Sequence, residues 1–329
     1  MKAAPIDIDW HPGLPIFACE SHLKSVGDEY GWIGGFNDSG KLCCVLPYTI
    51  IRKAIFRMVR FRVETIFLDQ ELDEINEKSF LNSAIGYFRS IGADLIIPGT
   101  NNAIFRTYPD GADAAPYGSY VIDLSQSEDI LWQNIERITR QNIKTAQKKG
   151  VTIRNGGERL DAVYERIRDT FKRSKVSFMS YAAFERYVDG LGANCKIMVA
   201  DYQGAPQSFV LFAYSEYCAY AVYAGNLANQ FQGANKLIYW EAIRFFKELG
   251  VQRYDFVGAR IAPEKGSKQD GINSLKRRFG AKLKQGYMWK YPLRPVSFMA
   301  YNLAVRLLRG GDIVDNERHK MESHKVAPT

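Results

Sequence analysis

The residues best suited to chemistry lie in one region of the second half of the chain. The stretch RYDFVGA, Arg253–Ala259, is typical of a buried strand that ends in a carboxylate, Asp255, and a glycine. Lys276 follows in the stretch LKRRFG. A carboxylate can accept a proton from a substrate, and a fixed cation can stabilise negative charge that develops during a reaction. Asp255 and Lys276 are therefore the candidate catalytic residues.

Both candidates also have a structural interpretation. Asp255 lies near the C-terminal end of a predicted parallel strand, where ligands of α/β proteins gather, but a carboxylate there can equally bond backbone N–H groups. Because side chains alternate along a strand, the neighbouring Tyr254 is expected on the opposite face. Lys276 is followed by two arginines and can be one solvated charge of a basic run.

Composition restricts the class of protein. A chain of 329 residues with 46% hydrophobic and 13% aromatic residues can form packed cores, and its length suits two domains of about 150 residues each. Five cysteines without metal-ligand spacing indicate buried free thiols, and four histidines argue against a metal site or a histidine triad. No apolar run approaches the roughly 18 residues of a membrane helix, and no leader pattern is present, so we expect a cytoplasmic protein.

The net charge of +8 is concentrated in two stretches. Residues 137–175 contain 12 basic and 4 acidic residues, and residues 276–290 contain six basic residues and no acid. Arg137, Arg140, Lys144 and Lys148 would share one face of a helix. Such clusters favour an anionic ligand, either a phosphate-bearing small molecule or RNA, although a solvated helix face is the simpler alternative.

An internal repeat indicates that the chain is built from two similar halves. AIGYFRSIG, Ala84–Gly92, matches AIRFFKELG, Ala242–Gly250, position by position, and a strand-like run follows each copy. A helix that ends at glycine and returns into a buried strand is half of a βαβ unit. The repeat therefore predicts a duplicated α/β domain.

Periodicity and turn signals place the other elements. In the second half we expect three strands between Cys195 and Asn226, and helices over 127–150, 159–173, 181–191 and 233–250. In the first half we expect strands near 32–36, 42–51 and 62–68, a helix over 79–91, and a linking segment at 117–124. Beyond about Pro295 the pattern predicts an amphipathic helix and then a disordered polar tail.

This order of elements resembles the GNAT acyltransferases, and two such domains in tandem are similar to the Fem-type peptidyltransferases, which attach amino acids to peptidoglycan precursors. The matching stretches are LWQNIERITRQNIKTAQKKGV, TFKRSKVSFMSY, LIYWEAIRFFKELGVQRYDFVG and INSLKRRFG. The resemblance implies an α/β (α+β) fold of two GNAT-like domains, 1–122 and 123–295, each a mixed, largely antiparallel sheet flanked by helices. Residues 296–329 would form the C-terminal helix and tail.

The resemblance also implies roles for particular residues. Lys276 would lie near the donor carbonyl or the acceptor phosphate, although the family commonly has Phe-Lys where this chain has Leu275-Lys276. Arg173 matches an arginine region of the family and could pair with a substrate phosphate or carboxylate, or be an ordinary surface arginine. Three tyrosines could line the cleft or fill the core: Tyr220, Tyr223 and Tyr254.

A partial match to the pyrophosphate-binding loop of acyl-CoA-dependent GNAT enzymes occurs at QFQGANK, Gln230–Lys236. It implies that Gly233, Ala234, Asn235 and Lys236 bind the donor through backbone N–H groups at a helix start. A helix start capped through the glycine is an equally good interpretation. We expect the ligand cleft mainly in the second half, between the Tyr223 strand and the Asp255 strand.

Together these features predict an N-acyltransferase that moves an acyl or aminoacyl group to an amine of a cell-wall or glycan precursor by direct attack. The donor would be aminoacyl-tRNA, acyl-CoA or acyl carrier protein, used as a co-substrate and not as a tightly bound cofactor, and no metal is expected. The absence of the helical hairpin arm of some Fem-type enzymes leaves the tRNA donor open. The alternative is a non-catalytic protein that binds nucleic acid or a nucleotide sugar.

The C-terminal helix has two possible partners. Its apolar side, with Phe298, Leu303 and Leu307, could rest weakly on a membrane surface or pack against the body of the protein.

Overall fold

A single mixed sheet runs through both halves of the chain. The computed structural model describes residues 1–69, 71–174 and 176–326, and the strands in these residues form one sheet in the order β1-β2-β3-β4-β6-β14-β7-β12-β11-β10-β9-β8, with β5 beside β3 and β13 beside β7. The strands are β1 Lys2–Ile6, β2 Glu29–Phe36, β3 Leu42–Lys53, β4 Phe56–Phe61, β5 Ile66–Phe67, β6 Leu95–Ile96, β7 Asp113–Asp123, β8 Val151–Asn155, β9 Cys195–Tyr202, β10 Ala205–Tyr214, β11 Ala219–Asn226, β12 Arg253–Asp255, β13 Ala259–Arg260 and β14 Lys282–Pro292.

Helices cover both faces of this sheet. They are α1 Glu20–Val26, α2 Glu74–Ser90, α3 Glu128–Asn134, α4 Arg137–Lys148, α5 Leu160–Arg173, α6 Tyr181–Leu191, α7 Ala234–Glu248, α8 Lys268–Arg278, α9 Pro295–Arg309 and α10 Ile313–Val326. The predicted class, a mixed and largely antiparallel sheet flanked by helices, is confirmed.

The two halves are joined by two long strands that lie side by side at the centre of the sheet. β7 and β14 pair over nine positions, from Lys282↔Val121 to Lys290↔Asp113. β14 continues to pair with β6 of the first half, whereas β7 pairs with β12 of the second half. The predicted boundary after residue 122 falls at the end of β7, and β14, predicted as part of the second domain, also completes the sheet of the first.

The repeat seen in the sequence corresponds to a repeated structural unit. In each half a strand leads into a long helix, a glycine follows the helix, and the next strand pairs in parallel with the first. Gly92 and Gly250 have φ angles of 75° and 76°, which the missing side chain makes favourable at the end of a helix. The units are β4-α2-β6 and β11-α7-β12.

Two expectations for individual elements differ from the structure, one because of a contact distant in sequence and one because a turn signal was missing. The helix predicted over 127–150 is divided into α3 and α4, because buried Ile135 is extended and the Glu136 N–H donates to the Arg278 carbonyl at 2.8 Å. In the first half the strand expected near 62–68 is present only as the two residues of β5, Ile66–Phe67, and the longer strand is β4 before it. Its hairpin turns at Ala54, which has φ 52° and lacks the usual glycine or asparagine signal.

The polar tail is helical through residue 326 rather than disordered. Its Val314 is buried, and Lys290 of β14, which is 1% exposed, pairs with Asp312 at 2.9 Å and Asp315 at 2.7 Å. A buried ammonium needs such carboxylates, so these pairs hold the start of α10 against the sheet. Residues 327–329 of the predicted tail lie outside the described residues.

The sheet of the second half has two different faces. One face packs on α3, α4 and α7 through a core that includes Ile143, Trp240 and Tyr254. The other packs on α5 and α6 and also on first-half residues such as Phe17 and Val45. Side chains on this second face, which we call the inner face, therefore look toward the junction of the two halves.

Candidate active site

Asp255 and Lys276 converge on one turn of the backbone. The turn consists of Val257 and Gly258, directly after β12, and both residues have left-handed φ angles of 52° and 72°. That conformation is uncommon for a β-branched residue and costs free energy of about 1–3 kcal/mol, so the surroundings must hold it in place. We call this segment the clamped turn.

Asp255 binds the clamped turn from the strand side. Its Oδ1 accepts the Val257 N–H at 2.6 Å and the hydroxyl of Ser119 on β7. The carboxyl group is 6% exposed, and burial raises its pKa. This geometry matches the structural interpretation of Asp255, a carboxylate that bonds a backbone N–H.

Lys276 binds the same turn from the other side. Its Nζ donates to the Val257 carbonyl at 2.8 Å and to the Gly258 carbonyl. The side chain is 6% exposed, so Lys276 is not a solvated member of its basic run. Burial lowers its pKa to about 8, and the nearby Asp255 opposes that shift. Lys276 is thus in a position to fix the shape of the turn.

The turn lies where two parallel strands separate. β11 and β12 pair only at Ala219↔Tyr254 and Tyr220↔Asp255, after which β11 continues to Asn226 paired only with β10. β11 also contains a bulge at Val222, where the register with β10 shifts, and this brings Tyr220 and Tyr223 to the same inner face.

The three candidate tyrosines occupy different environments. Tyr254 is fully buried in the opposite core, and Tyr220 is 4% exposed and packs on Phe17 with ring centroids 4.8 Å apart. Tyr223 alone of the three lines a cavity. Burial raises its pKa, and the guanidinium groups of Arg60 and Arg62 oppose the shift.

We call this space the front cavity; it has a volume of about 780 Å³ and lies between the two halves. The clamped turn contributes Val257 to its wall, and the second half also contributes Tyr187 and Tyr223. The first half contributes Arg60, Arg62, Asn101 and other residues. The front cavity is therefore lined by both halves, and the location of the ligand cleft stays a prediction.

Buried Arg62 and half-buried Arg60 make the front cavity cationic. Arg62 is 7% exposed, donates to Thr49 at 3.0 Å, and has a pKa lowered to about 9 by burial and by the neighbouring Arg60. Burial also lowers the pKa of Arg60, whose Nε donates to the Pro98 carbonyl at 3.2 Å. In the described part of the chain no carboxylate pairs with Arg60, Arg62 or Arg186. Buried cations without an acid partner favour an anionic ligand.

His22 lies on the wall of the same cavity and is uncharged at neutral pH. Burial and the adjacent Arg62 lower its pKa to about 3. His22 therefore adds no positive charge to the cavity at neutral pH.

A second space, the rear cavity, has a volume of about 800 Å³. Its wall carries the Lys284–Glu64 ion pair at 2.5 Å, and Arg253 over the ring of Tyr217 at 4.1 Å. Glu77 of α2 also lines it and is 1% exposed. Its carboxylate makes no hydrogen bond of good geometry among the described residues, but Thr65 and Arg106 lie near enough to lower its pKa against the effect of burial. Burial raises the pKa of Glu77 to about 7. Arg253 begins β12 and Val257 follows its end, so the two cavities lie at opposite ends of this strand.

The predicted donor loop forms the first turn of α7. Gly233 has φ 90°, and a Cβ there would lie 2.4 Å from the Asn142 carbonyl of α4, so close helix packing already explains the glycine. Ala234 is buried and Asn235 is half-buried. Lys236 is also half-buried, and burial, together with Arg278, lowers its pKa. Donor binding by this turn remains a prediction.

Arg173 lies at the end of α5 and is exposed. It donates to the carbonyl of Asn226, the last residue of β11, at 2.6 Å and to Thr170 at 2.9 Å. Arg173 is separate from the clamped turn, and its hydrogen bond to Asn226 links α5 to β11. Substrate binding by Arg173 remains a prediction.

Sequence reasoning missed the first-half part of the site. Arg60 and Arg62 alternate with apolar residues in RMVRFRVE, and two arginines on one side of a buried strand are an unusual signal that could have identified them. Ser119 gave no signal, because its role depends on the pairing of β7 with β12. No cluster of three or more histidine, cysteine or acidic side chains suited to a metal ion occurs in residues 1–69, 71–174 and 176–326.

Comparisons with known proteins agree with this architecture. The sequence model of the FemAB family matches residues 105–205, from the segment before β7 to the start of β10. The crystal structure of FemX superposes with a TM-score of 0.66 at 14% identity, covering 91% of this chain and 99% of FemX. The chain has a Fem-type, GNAT-like fold.

Two further solved structures share the fold at lower similarity. The C-terminal domain of a putative lysylphosphatidylglycerol synthetase from Agrobacterium fabrum has a TM-score of 0.51 at 12% identity, and L-PGS from Bacillus licheniformis has 0.50 at 13% identity. Each covers 87% of this chain, and this chain covers 91% of each. A search of curated protein sequences found no match. The matched FemAB segment ends before Asp255 and Lys276, so their roles rest on geometry.

Proposed function

We propose that the protein is an acyltransferase that moves an acyl or aminoacyl group onto an amine of a phosphate-bearing cell-wall or glycan precursor. The observation that carries this proposal is the front cavity, where buried Arg62 and half-buried Arg60 share a wall with Val257 of the clamped turn. Neither arginine pairs with an acid among the described residues. The Fem-type fold and the match to the FemAB family support the transferase class. A neighbour named lysylphosphatidylglycerol synthetase is consistent with an acceptor that carries a phosphate.

The proposed reaction is a direct attack. The acceptor amine adds to the carbonyl carbon of the donor, the C–O or C–S bond to the carrier breaks, and its electron pair leaves with the carrier oxygen or sulfur. The amine loses a proton to solvent or to the leaving group. Negative charge builds on the carbonyl oxygen during the addition, and an ammonium group or N–H donors near it would lower the barrier.

The residues of the chain divide between binding and positioning. Arg60 and Arg62 would hold the acceptor phosphate, and Tyr223 would contact the acceptor near the turn. Lys276 and Asp255 would keep Val257 and Gly258 in their left-handed conformation, which shapes the wall where the amine and the carbonyl meet. An oxyanion contact by Lys276 would add to this role, since two of its three N–H groups are already bonded.

We propose aminoacyl-tRNA, acyl-CoA or acyl carrier protein as the donor, bound near the first turn of α7. Backbone N–H groups at a helix start and Lys236 are suited to a phosphate of the carrier. Because these carriers are cytoplasmic molecules, the reaction would take place in the cytoplasm.

An assay of all donor classes tests the proposal. The purified full chain is incubated with each donor and with a nucleotide-linked amino sugar peptide, and mass spectrometry detects the acylated acceptor. Arg60→Gln should raise KM for this acceptor about 10- to 100-fold, because a charge-assisted bond is lost, and should leave KM for a phosphate-free analogue unchanged.

The matched control is Lys149→Gln, an exposed cation at the end of α4 on the other side of the sheet, which should change neither constant. Acceptor binding without turnover by any donor would instead support a non-catalytic nucleotide-sugar-binding protein. If Arg60→Gln raised KM equally for the phosphate-bearing acceptor and the phosphate-free analogue, the proposal that Arg60 binds the acceptor phosphate would be wrong.

A further inference from the structure

Helix α9 exposes a continuous apolar stripe. Phe298 faces the body of the protein, where it packs in a cluster with Met58 and Leu95. The outer side is formed by five aliphatic side chains, 60–82% exposed: Val296, Met299, Leu303, Leu307 and Leu308. Their spacing of three to four residues places most of them along one line of the helix. The sequence left open whether the apolar side of the helix packs against the body of the protein. In the structure, Leu303 and Leu307 on this side are exposed to solvent.

The charges of α9 suit an anionic surface. Pro295–Arg309 contains no acidic residue. Arg306 and Arg309 are exposed at its C-terminal end, and no carboxylate in the part of the chain that the structure describes pairs with either. Apolar residues on one side, flanked by unpaired arginines, are typical of helices that lie in the headgroup region of a bilayer.

A second segment presents the same chemistry beside the helix. The tip of the β3–β4 hairpin carries Lys53 and Ile55, and Ile55 is 86% exposed. The next residue, Phe56, contacts Tyr301 of α9 with ring centroids 5.7 Å apart. Two segments that are distant in sequence therefore place aliphatic and basic side chains next to each other. An exposed apolar patch that extends over two such segments is more typical of an interaction site than of an ordinary solvated helix face.

We infer that α9 and the β3–β4 tip form a docking surface for an anionic lipid bilayer, with α9 lying in the plane of the headgroups. No helix of the described residues is long and apolar enough to cross a bilayer, so the contact would be peripheral. The aliphatic stripe would enter the acyl boundary while Lys53, Arg306 and Arg309 contact lipid phosphates.

This surface adjoins the wall of the front cavity. Ile51 lines the cavity and also packs in the cluster with Phe56 and Tyr301. Arg60 lies close enough to both Tyr223 and Tyr301 for its charge to affect them. A bilayer bound to α9 would therefore lie beside the front cavity. The inference does not depend on the proposed reaction, because binding to lipid can be measured without turnover.

Vesicle flotation of the full chain tests the inference directly. Wild-type protein should float with vesicles of phosphatidylcholine mixed with phosphatidylglycerol, bind at least about tenfold more weakly to phosphatidylcholine alone, and dissociate as salt is added. The double variant Leu303→Gln/Leu307→Gln should lose about tenfold or more in partitioning, because two aliphatic side chains no longer enter the bilayer. Arg306→Gln/Arg309→Gln should remove most of the preference for anionic vesicles.

The matched control is Ile138→Gln/Leu249→Gln, which removes two other exposed aliphatic side chains, each 48% exposed, and should float like wild type. Circular dichroism checks that all variants are folded. The inference is overturned if wild type binds neither vesicle, or if the α9 variants bind as wild type does. A wild-type dimer in analytical ultracentrifugation that Leu303→Gln/Leu307→Gln converts to a monomer would assign the stripe to a second copy of the chain.

Discussion

The two halves of the molecule share a strand-helix-strand unit but end it differently. After β6 the chain continues through buried Ile97. Its polar groups there bond the arginines of the first half: the Pro98 carbonyl accepts from Arg60, and Thr100 and Asn102 donate to the Arg62 carbonyl. After β12, the equivalent strand, the chain carries Asp255 and then the clamped turn held by Lys276. The shared part of the repeat builds the core, and the part that differs carries the polar contacts of the candidate site.

The halves also differ in how they treat buried charge. In the second half the buried Asp255 and Lys276 both have backbone partners on the same turn. In the first half, among the described residues, the Glu77 carboxylate makes no hydrogen bond of good geometry, and Arg62 has hydrogen bonds but no acid to pair with. A buried charged side chain that has partners within the protein can hold the wall of a site in shape. A buried charged side chain without such partners is available to bind a ligand, or it lowers the stability of the fold.

The largest expected effect follows from removing the ammonium group of the clamped turn. Lys276→Met keeps much of the side-chain volume but leaves two buried carbonyl groups without their donor. We expect turnover to fall on the order of a hundredfold or more, since the wall of the site loses its shape and any oxyanion contact is lost as well. Steady-state rates with the donor that supports activity measure this effect.

The neighbouring Arg277→Met is the matched control on the same helix. Arg277 is exposed and contacts Tyr120 and Asp270, so its removal should leave turnover within about twofold of wild type. Equal rates for wild type and Lys276→Met would show that the clamped turn is only structural, and the contrast between the halves would then have no catalytic meaning.

The pH dependence of the reaction rate tests whether the charge of Lys276 is needed for turnover. Because burial lowers the pKa of Lys276 to about 8, a reaction that needs its ammonium form should slow as pH rises through that value. Between pH 8 and 10.5 the unfolded chain binds more protons at this residue than the folded chain, so its contribution to stability increases with pH. A loss of stability caused by the titration of Lys276 therefore cannot explain a decrease in the reaction rate above pH 8.

Lys276→Arg separates this titration from that of the substrate amine. The guanidinium stays charged, so the ratio of the variant rate to the wild-type rate should rise above about pH 8 even if the variant is slower overall. A ratio that is constant from pH 7 to 10 would exclude a requirement for the charge of Lys276.

In the first half, we expect a comparable change to affect stability instead of turnover. Burial raises the pKa of Glu77 to about 7, so the folded chain binds more protons at this residue between pH 4.5 and 7, and its contribution to stability is lost as pH rises through that range. Glu77→Gln should therefore raise the free energy of unfolding at pH 8 by about 1–2 kcal/mol and have little effect at pH 4.5. Urea unfolding at both pH values measures the difference, and a variant that is destabilised at pH 8 would indicate a hidden partner for the carboxylate.

Local patterns predicted much of the second half. Tyr181–Leu191 has the predicted bounds, and the strands from Cys195 to Asn226 were found because apolar residues alternate and Gln203-Gly204 forms the turn between the first two. The candidate site was predicted in part. Asp255 and Lys276 could be selected by type and position, but their meeting at Val257 depends on a left-handed turn that no sequence signal shows.

Features that depend on distant contacts could not be predicted. The break at Ile135 requires the Arg278 carbonyl, and the helical tail requires Lys290. The cationic wall requires that β4 of the first half face β11 of the second, which follows from the sharing of β7 and β14 and not from any local pattern. The sequence therefore indicated which residues were chemically unusual and not which of them lie together.

The smallest expected effect concerns the basic face of α4, where the sequence suggested an anion-binding surface. The structure divides this face in two. Arg140 donates to the carbonyls of Trp132 at 3.4 Å and Gln133 at 3.1 Å, near the end of α3, whereas Lys148 is exposed near the end of α4. Arg140→Gln should therefore lower the free energy of unfolding by about 0.5–1 kcal/mol, because two carbonyl groups lose a donor. Lys148→Gln should leave the free energy of unfolding unchanged, and urea unfolding compares the two variants.

If tRNA binds this face, Lys148→Gln should weaken tRNA binding and flatten its salt dependence without a change in stability. Should Lys148→Gln leave tRNA binding unchanged while Arg140→Gln lowers stability, the basic face serves the packing of α3 on α4, and the carrier must be bound elsewhere.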